Sequence, residues 1–172
     1  MFTTLRSSLF ACALVISGGW AAAADKDGFQ YDVQKTILDK ADTRGSDTNV
    51  SNLDRFMGLK VSLKNTTFKE MAAGEITWEI LNRKYLSTTI ERSSGTEKLQ
   101  ALKPSEKIEL TLGAVNVRGY RDGTSKHVDE LEWQITVKRE GKEVLKVNST
   151  KTFDVLAKRA TTVEAPKPAD AK

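Results

Sequence analysis

His127 is the only histidine in the chain, and it stands among acids: Asp122 precedes it, and Asp129 and Glu130 follow. An imidazole beside carboxylates is the raw material of acid–base catalysis or metal binding. The spacing works against both. His127 and Asp129 lie at i and i+2 at the start of "SKHVDELEWQITVKREGKEVLKV" (125–147), a segment that soon alternates like a strand, and Glu130 points elsewhere on an extended chain. One imidazole with scattered carboxylates is a poor ligand set for a transition metal. His127 is therefore expected to be a solvated residue at a strand entrance.

The other reactive constellations are thinner. Cys12 is the only cysteine, and no Ser sits in a GxSxG elbow, so nucleophilic catalysis lacks its parts. Glu75 and Glu79 share a strand face, but a strand rise puts them about 13 Å apart, beyond the usual separation of a glycosidase pair. They are expected on a solvated face. The stretch "ADTRGSDTNVSNLD" offers oxygen ligands at Asp42, Asp47, Asn49, Asn52 and Asp54. Its spacing matches no calcium loop, and Asx-type turns explain the same composition. Trp78 and Trp133 alternate with Ile and Leu and are expected in the core, not on a sugar-stacking platform. Tyr85, Tyr120 and Phe68 lie near expected loops and are better candidates for exposed aromatic contacts. "NTT" at Asn65 matches a glycosylation acceptor, which means little without a eukaryotic context. No catalytic, cofactor-binding or metal-binding residue is expected.

What positions these residues is a series of short strands. Phe29, Tyr31 and Val33 share a face, as do Leu59, Val61 and Leu63. Ile76, Trp78 and Ile80 repeat the pattern, followed by Ile108, Leu110 and Leu112, then Leu131, Trp133, Ile135 and Val137. "YLSTTIER", "EVLKVNS" and "KTFDVLAK" are weaker strand candidates. Turn-rich pieces, "RGSDTN", "SSGTE", "GYRDGTS" and "REGK", separate them. "VQKTILDKAD" has room for a turn or two of helix, "FKEMAAG" reads as a bend, and residues 39–54 read as an irregular connection. Seven to eight antiparallel strands without intervening helices indicate a sandwich or barrel. For the last hairpin, a three-residue loop, Arg139-Glu140-Gly141, sets Ile135 opposite Leu145 and Trp133 opposite Val147. A slip of one residue would exchange the buried and exposed faces, and Gly141 suits the positive-φ position.

The ends read differently from the middle. Arg6, the apolar "LFACALVISGGW" and the small residues of "AAAAD" have the anatomy of an export signal, with cleavage expected between Ala24 and Asp25. The apolar run is shorter than the roughly 20 residues of a spanning helix. Lipid attachment through Cys12 is disfavoured by the bulk of Phe10, and no Gly at a basic-to-apolar junction marks a pilin precursor. Loss of residues 1–24 removes the cysteine and leaves 26 basic against 23 acidic residues, a mild balance that does not indicate nucleic acid. Residues 160–172, with two of the three prolines and few large apolar side chains, are expected to be a flexible tail. One domain, 25–159, lies between.

The tryptophan-centred strands "ITWEI" and "LEWQITV", the approach "ALKPSEKIELTL" and the hairpin "WQITVKREGKEVLKV" resemble immunoglobulin-like and fibronectin-type sandwiches over residues 29–157. The same combination is similar to small exported immunoglobulin-like proteins of verrucomicrobial gut bacteria, some of which resemble the globular heads of type IV pilus-like subunits. The inter-sheet cysteines of antibody domains are missing here. The resemblance implies an exported, non-catalytic module used in assembly or adhesion at a cell surface or pilus-like structure. It would have no cofactor or nucleic-acid partner, and it would bind other proteins or itself through a sheet edge. A periplasmic ligand-binding protein or hydrolase working through loop acids is the alternative.

Overall fold

The computed structural model describes residues 24–26, 28–44 and 50–163. These contain β1 (Ala24–Lys26), β2 (Phe29–Lys40), β3 (Thr43–Arg44), β4 (Val50–Asn65), β5 (Gly74–Arg83) and β6 (Ile90–Leu99). They continue with β7 (Lys107–Asp122), β8 (Ser125–Val128), β9 (Glu130–Arg139), β10 (Lys142–Asn148), α1 (Phe153–Ala157) and β11 (Thr161–Thr162). One sheet runs β1-β2-β4-β7-β8, with β3 also paired to β4; the other runs β10-β9-β5-β6-β11. The protein is all-β and sandwich-like. Its eleven described strands exceed the seven or eight expected because several are two to four residues long, too short to carry an alternation.

The alternation read from the sequence is what closes the two sheets on each other. Leu59, Val61 and Leu63 of β4 and Ile76, Ile80, Ile135 and Val137 of the opposite sheet are all fully buried in one cluster. Trp78 lies in that core, and Trp133 packs half-buried at its margin. A smaller cluster forms on the far side of the second sheet, where Phe153 of α1 covers Leu81 and Ile90. "KTFDVLAK" is thus a helix, not a strand. Phe153, Leu156, Ala157 and Ala160 follow the i, i+3, i+4, i+7 spacing and face this cluster together, while Val155 is exposed.

Four other expectations are corrected. "VQKTILDKAD" is no helix: its first eight residues, 33–40, complete β2 and pair with β4 as far as Lys40 opposite Arg55. The described residues of 39–54 are therefore largely ladder, formed by the ends of β2 and β4 and by β3, and 45–49 lie outside the described residues. "SSGTE" is no turn but the middle of β6, where Gly95 lies opposite Trp78. A Cβ on Gly95 would stand 2.6 Å from the indole ring, so the glycine makes room for the tryptophan. The last hairpin turns on two residues, Glu140 (φ 51°) and Gly141 (φ 74°), with Arg139 opposite Lys142. A bulge between Glu143 and Leu145 then sets Leu145 opposite Val137 and Val147 opposite Ile135. The expected register was off by two residues, an even number, so the buried and exposed faces were assigned correctly.

Beyond the far end of the expected domain, Thr161 and Thr162 pair in parallel with Glu91 and Arg92. The expected cleavage site falls within β1, between its first two residues, and the expected signal up to residue 23 lies outside the described residues, as do residues 164–172 of the expected tail. Among the described residues no helix is long and apolar enough to cross a membrane.

The two sheets differ in length. β4 and β7 each have 16 residues, whereas β5, β6 and β9 have 10. At a strand rise near 3.3 Å, roughly 20 Å of the first sheet has no second sheet above it. Register shifts between Ile37 and Asp39 and between Met57 and Leu59 fall at one level, where the sheet leaves the sandwich. Bulges bend and twist the strands that carry them.

Candidate functional site

The overhanging part of the first sheet gathers most of the residues whose chemistry attracts notice, and the ladder divides them between its two faces. Directly opposed residues of neighbouring strands share a face. On the inner face, continuous with the core, Ser51, Arg121 and Lys126 form one row across β4, β7 and β8. Leu53, Gly119 and Val128 form the next, followed by Arg55 beside Val117 and then Met57 beside Val115. On the other face Asn52, Tyr120 and His127 form a row, with Asp54 beside Arg118.

The inner face is concave. Asp42, Thr43, Ser51, Arg55, Arg121 and Lys126 border a cavity of about 440 Å³. A second cavity of about 510 Å³ continues toward β9 over Met57, Val117 and Val128, and the two share Leu53, Arg55 and Lys126. The result is a trough with an aliphatic floor and polar walls.

Its acids are engaged. Asp42 accepts hydrogen bonds from the Arg55 Nε at 3.0 and 3.1 Å, and the Arg55 guanidinium holds its carboxyl below the usual carboxylate range. Asp129 is buried and accepts the backbone N–H groups of Tyr85 and Arg118, each at 3.1 Å, and the Lys84 Nζ at 3.3 Å. Glu130 pairs with Arg83, and Glu132 accepts the Ser149 hydroxyl. Lys35 donates to the Leu131 carbonyl. Arg121 and Lys126 are exposed and have no ion-pair partner among the described residues. Among the described lining residues, Lys35, Arg121 and Lys126 stand against Glu132 without an ion-pair partner, so the uncompensated charge of the trough is positive.

His127 is exposed on the edge strand β8, not at the entrance of β9, and stacks on Tyr120 with ring centres 4.7 Å apart and planes 22° apart. Tyr85 also meets Tyr120, with ring centres 5.9 Å apart and planes tilted by 56°. Two of the three aromatic candidates thus meet. Phe68 stands fully exposed in the β4–β5 connection, apart from them. Asp122 closes the β7–β8 turn opposite Ser125. Asp129 is bound by Lys84 and backbone amides and is unavailable to His127.

Of the oxygen-ligand stretch, Asp42 is held by Arg55 on one face, and Asp54 accepts the Asn116 amide at 2.7 Å on the other. Asp47 and Asn49 lie outside the described residues. Among the described residues no group of three or more His, Cys, Asp or Glu side chains could hold a metal ion. Glu75 is exposed, whereas Glu79 is largely covered and ion-paired with Arg92.

Asn65 is wholly buried, and its amide nitrogen donates to the carbonyls of Lys69, Leu102 and Lys103 at 2.8–3.1 Å. Its oxygen accepts the Thr67 N–H, so "NTT" encodes an Asx turn that ties two connections together.

Arg55, Arg121 and Lys126 are not among the residues expected from the sequence. The signal was the Gly123-Thr124 pair: a two-residue turn there sets Arg121 opposite Lys126.

No protein-family model matches the chain, and no curated protein matches it in sequence. Among solved structures, the chain is similar to a crystal structure from Akkermansia muciniphila, a verrucomicrobial gut bacterium. The two are 14% identical over 80% of this chain and 81% of that one, with a TM-score of 0.35.

Proposed function

We propose that this protein is an exported, non-catalytic sandwich module of immunoglobulin-like or fibronectin-like type. It serves assembly or adhesion by lending a sheet edge to a strand of another chain. The observation that carries this reading is the free edge of β2. β1 pairs only with Phe29, Gln30 and Tyr31, so among the described residues the far edge of Asp32–Lys40 has no strand beside it. Ile37 and Leu38 there are 39% and 43% exposed. An edge of this kind is a template for strand addition unless charge or a bulge blunts it. Lys35, Lys40 and the shift after Ile37 blunt part of it.

Chain path supports the fold type. Successive hairpins, β2–β4, β5–β6, β7–β8 and β9–β10, alternate between the sheets. β6 joins the sheet of β5 and β9, whereas the fourth strand of antibody constant domains joins the opposite sheet. Export rests on the pattern of residues 1–24.

Light scattering over a concentration series tests the edge. The mature chain is expected to self-associate, and the Ile37→Lys/Leu38→Lys variant to be monomeric with an unchanged melting temperature. A wild type that stays strictly monomeric at the highest concentration would sink this reading.

A further inference from the structure

We propose that the trough on the inner face of the overhang binds an oxyanion-bearing glycan segment, one carrying carboxylate or sulfate groups, through Arg121, Lys126 and Arg55. The proposal is independent of edge pairing by β2.

The trough wall carries a local conflict. Arg121 and Lys126 are direct cross-strand partners, and like charges in that position are destabilising. Their row continues to Ser51, which carries no charge, and no described acid pairs with either cation. The nearby carboxylates are already committed: Asp42 to Arg55, Asp129 to backbone amides and Lys84, and Glu130 to Arg83. A conflict retained where the nearest carboxylates are committed elsewhere marks a place at which a ligand supplies the missing partner.

The shape of the trough suits a sugar. Two cavities of about 440 and 510 Å³ sharing Leu53, Arg55 and Lys126 are far larger than an inorganic anion requires. An aliphatic floor with hydroxyls and cations at its rim suits a ring whose carbon–hydrogen face is apolar and whose substituents are anionic. Arginine adds a planar fork matched to carboxylate and sulfate oxygens.

The backbone of the trough favours a glycan over an acidic peptide. The trough is a sheet face, and its backbone groups are spent on the β4–β7 and β7–β8 ladders. A peptide there would gain no ladder of main-chain hydrogen bonds, the source of affinity in strand addition. Side chains alone must hold the occupant.

Titration calorimetry on the mature chain tests this with five probes: oligogalacturonate, a sulfated tetrasaccharide, neutral maltotetraose, inorganic phosphate and a poly-glutamate peptide. One or both anionic sugars should bind and maltotetraose should not. Arg121→Ser/Lys126→Ser should weaken binding about tenfold or more. Lys98→Ser/Lys142→Ser, which removes the same charge from the other sheet, should weaken it less than about threefold. Arg121→Glu should abolish binding and raise the melting temperature of the free protein by about 1–4 °C, because it turns a repulsive cross-strand pair into an attractive one. The proposal is overturned if neither anionic sugar binds or if both double variants weaken binding equally. It is also overturned if phosphate matches the sugars, which indicates a small-anion site, or if poly-glutamate does, which indicates an acidic protein partner.

Discussion

Asp129 carries more of this structure than any residue that looked reactive. Its carboxylate is almost inaccessible, with the side chain 2% exposed, and it ties three segments together: the β5–β6 connection through Tyr85 and Lys84, the end of β7 through Arg118, and the entry to β9 through its own backbone. Removing the carboxylate leaves two backbone N–H groups without their partner, while Lys84 keeps its ion pair with Glu91 at 2.8 Å. Asp129→Ala is therefore expected to destabilise the fold by about 3 kcal/mol or more, readable as a lower urea midpoint with an unchanged slope. A loss below about 1 kcal/mol would mean that water replaces the carboxylate. Next to His127, Asp129 resembled half of a catalytic pair, since residue types advertise chemistry and hide their hydrogen-bond partners. His127 was legible as solvated, but its stacking on Tyr120 was not, because that contact needs β8 to exist as a separate strand. The basic residues of the trough escaped for the same reason: a row across three strands has no signature along one.

At the scale of elements, what could be read was the inward face of each long strand. Phe29, Leu59, Val61, Ile76, Trp78, Ile135 and Val137 are all buried where alternation put them. Turns and registers were less legible, and the last hairpin explains why. Pairing apolar with apolar residues fixes the faces, but two registers two residues apart satisfy it equally. The structure takes the two-residue turn and restores the faces with a bulge after Glu143. That turn puts Glu140 at φ 51°, a left-handed conformation that costs a residue with a Cβ about 1 kcal/mol and that asparagine tolerates better. Glu140→Asn should consequently raise the melting temperature by a few degrees, about 2–6 °C for a domain of this size. Scanning calorimetry showing no rise would mean that the turn relaxes out of the left-handed region in solution. Helix α1 was misread because "KTFDVLAK" is too short to separate period two from period 3.6. Only the cluster of Leu81 and Ile90 beneath Phe153 decides between them.

The whole molecule has a closed end and an open one, and their stabilities should differ. In the sandwich, β4 and β7 are covered by a second sheet, and their inward residues Leu59, Val61, Leu63 and Leu112 are essentially inaccessible. In the overhang the same strands lack that cover and are held by the ladder, the short strands β3 and β8, and the tie between Asp42 and Arg55. Local opening follows the density of buried contacts. Amides of Ser51–Asp54 and Arg118–Asp122 should therefore exchange hydrogen with lower protection than amides of Leu59–Leu63 and Ile108–Leu112. The tie adds a pH dependence of definite sign. Hydrogen bonding to Arg55 lowers the Asp42 pKa from its ordinary 3.8 in the folded protein. The tie's contribution is thus complete above that ordinary value and is lost as the pH falls through the lower folded one. Protection in the overhang, corrected for intrinsic rates, should decline on acidification below pH 3.8 before protection in the sandwich does. In Asp42→Asn it should start lower near neutral pH and lose this acid step. Equal protection at both ends at neutral pH would show that the overhang is covered in solution, by a second copy of the chain or by a bound partner. Repeating the exchange on the Ile37→Lys/Leu38→Lys variant separates these, because only a copy joined at the β2 edge is displaced by the substitution.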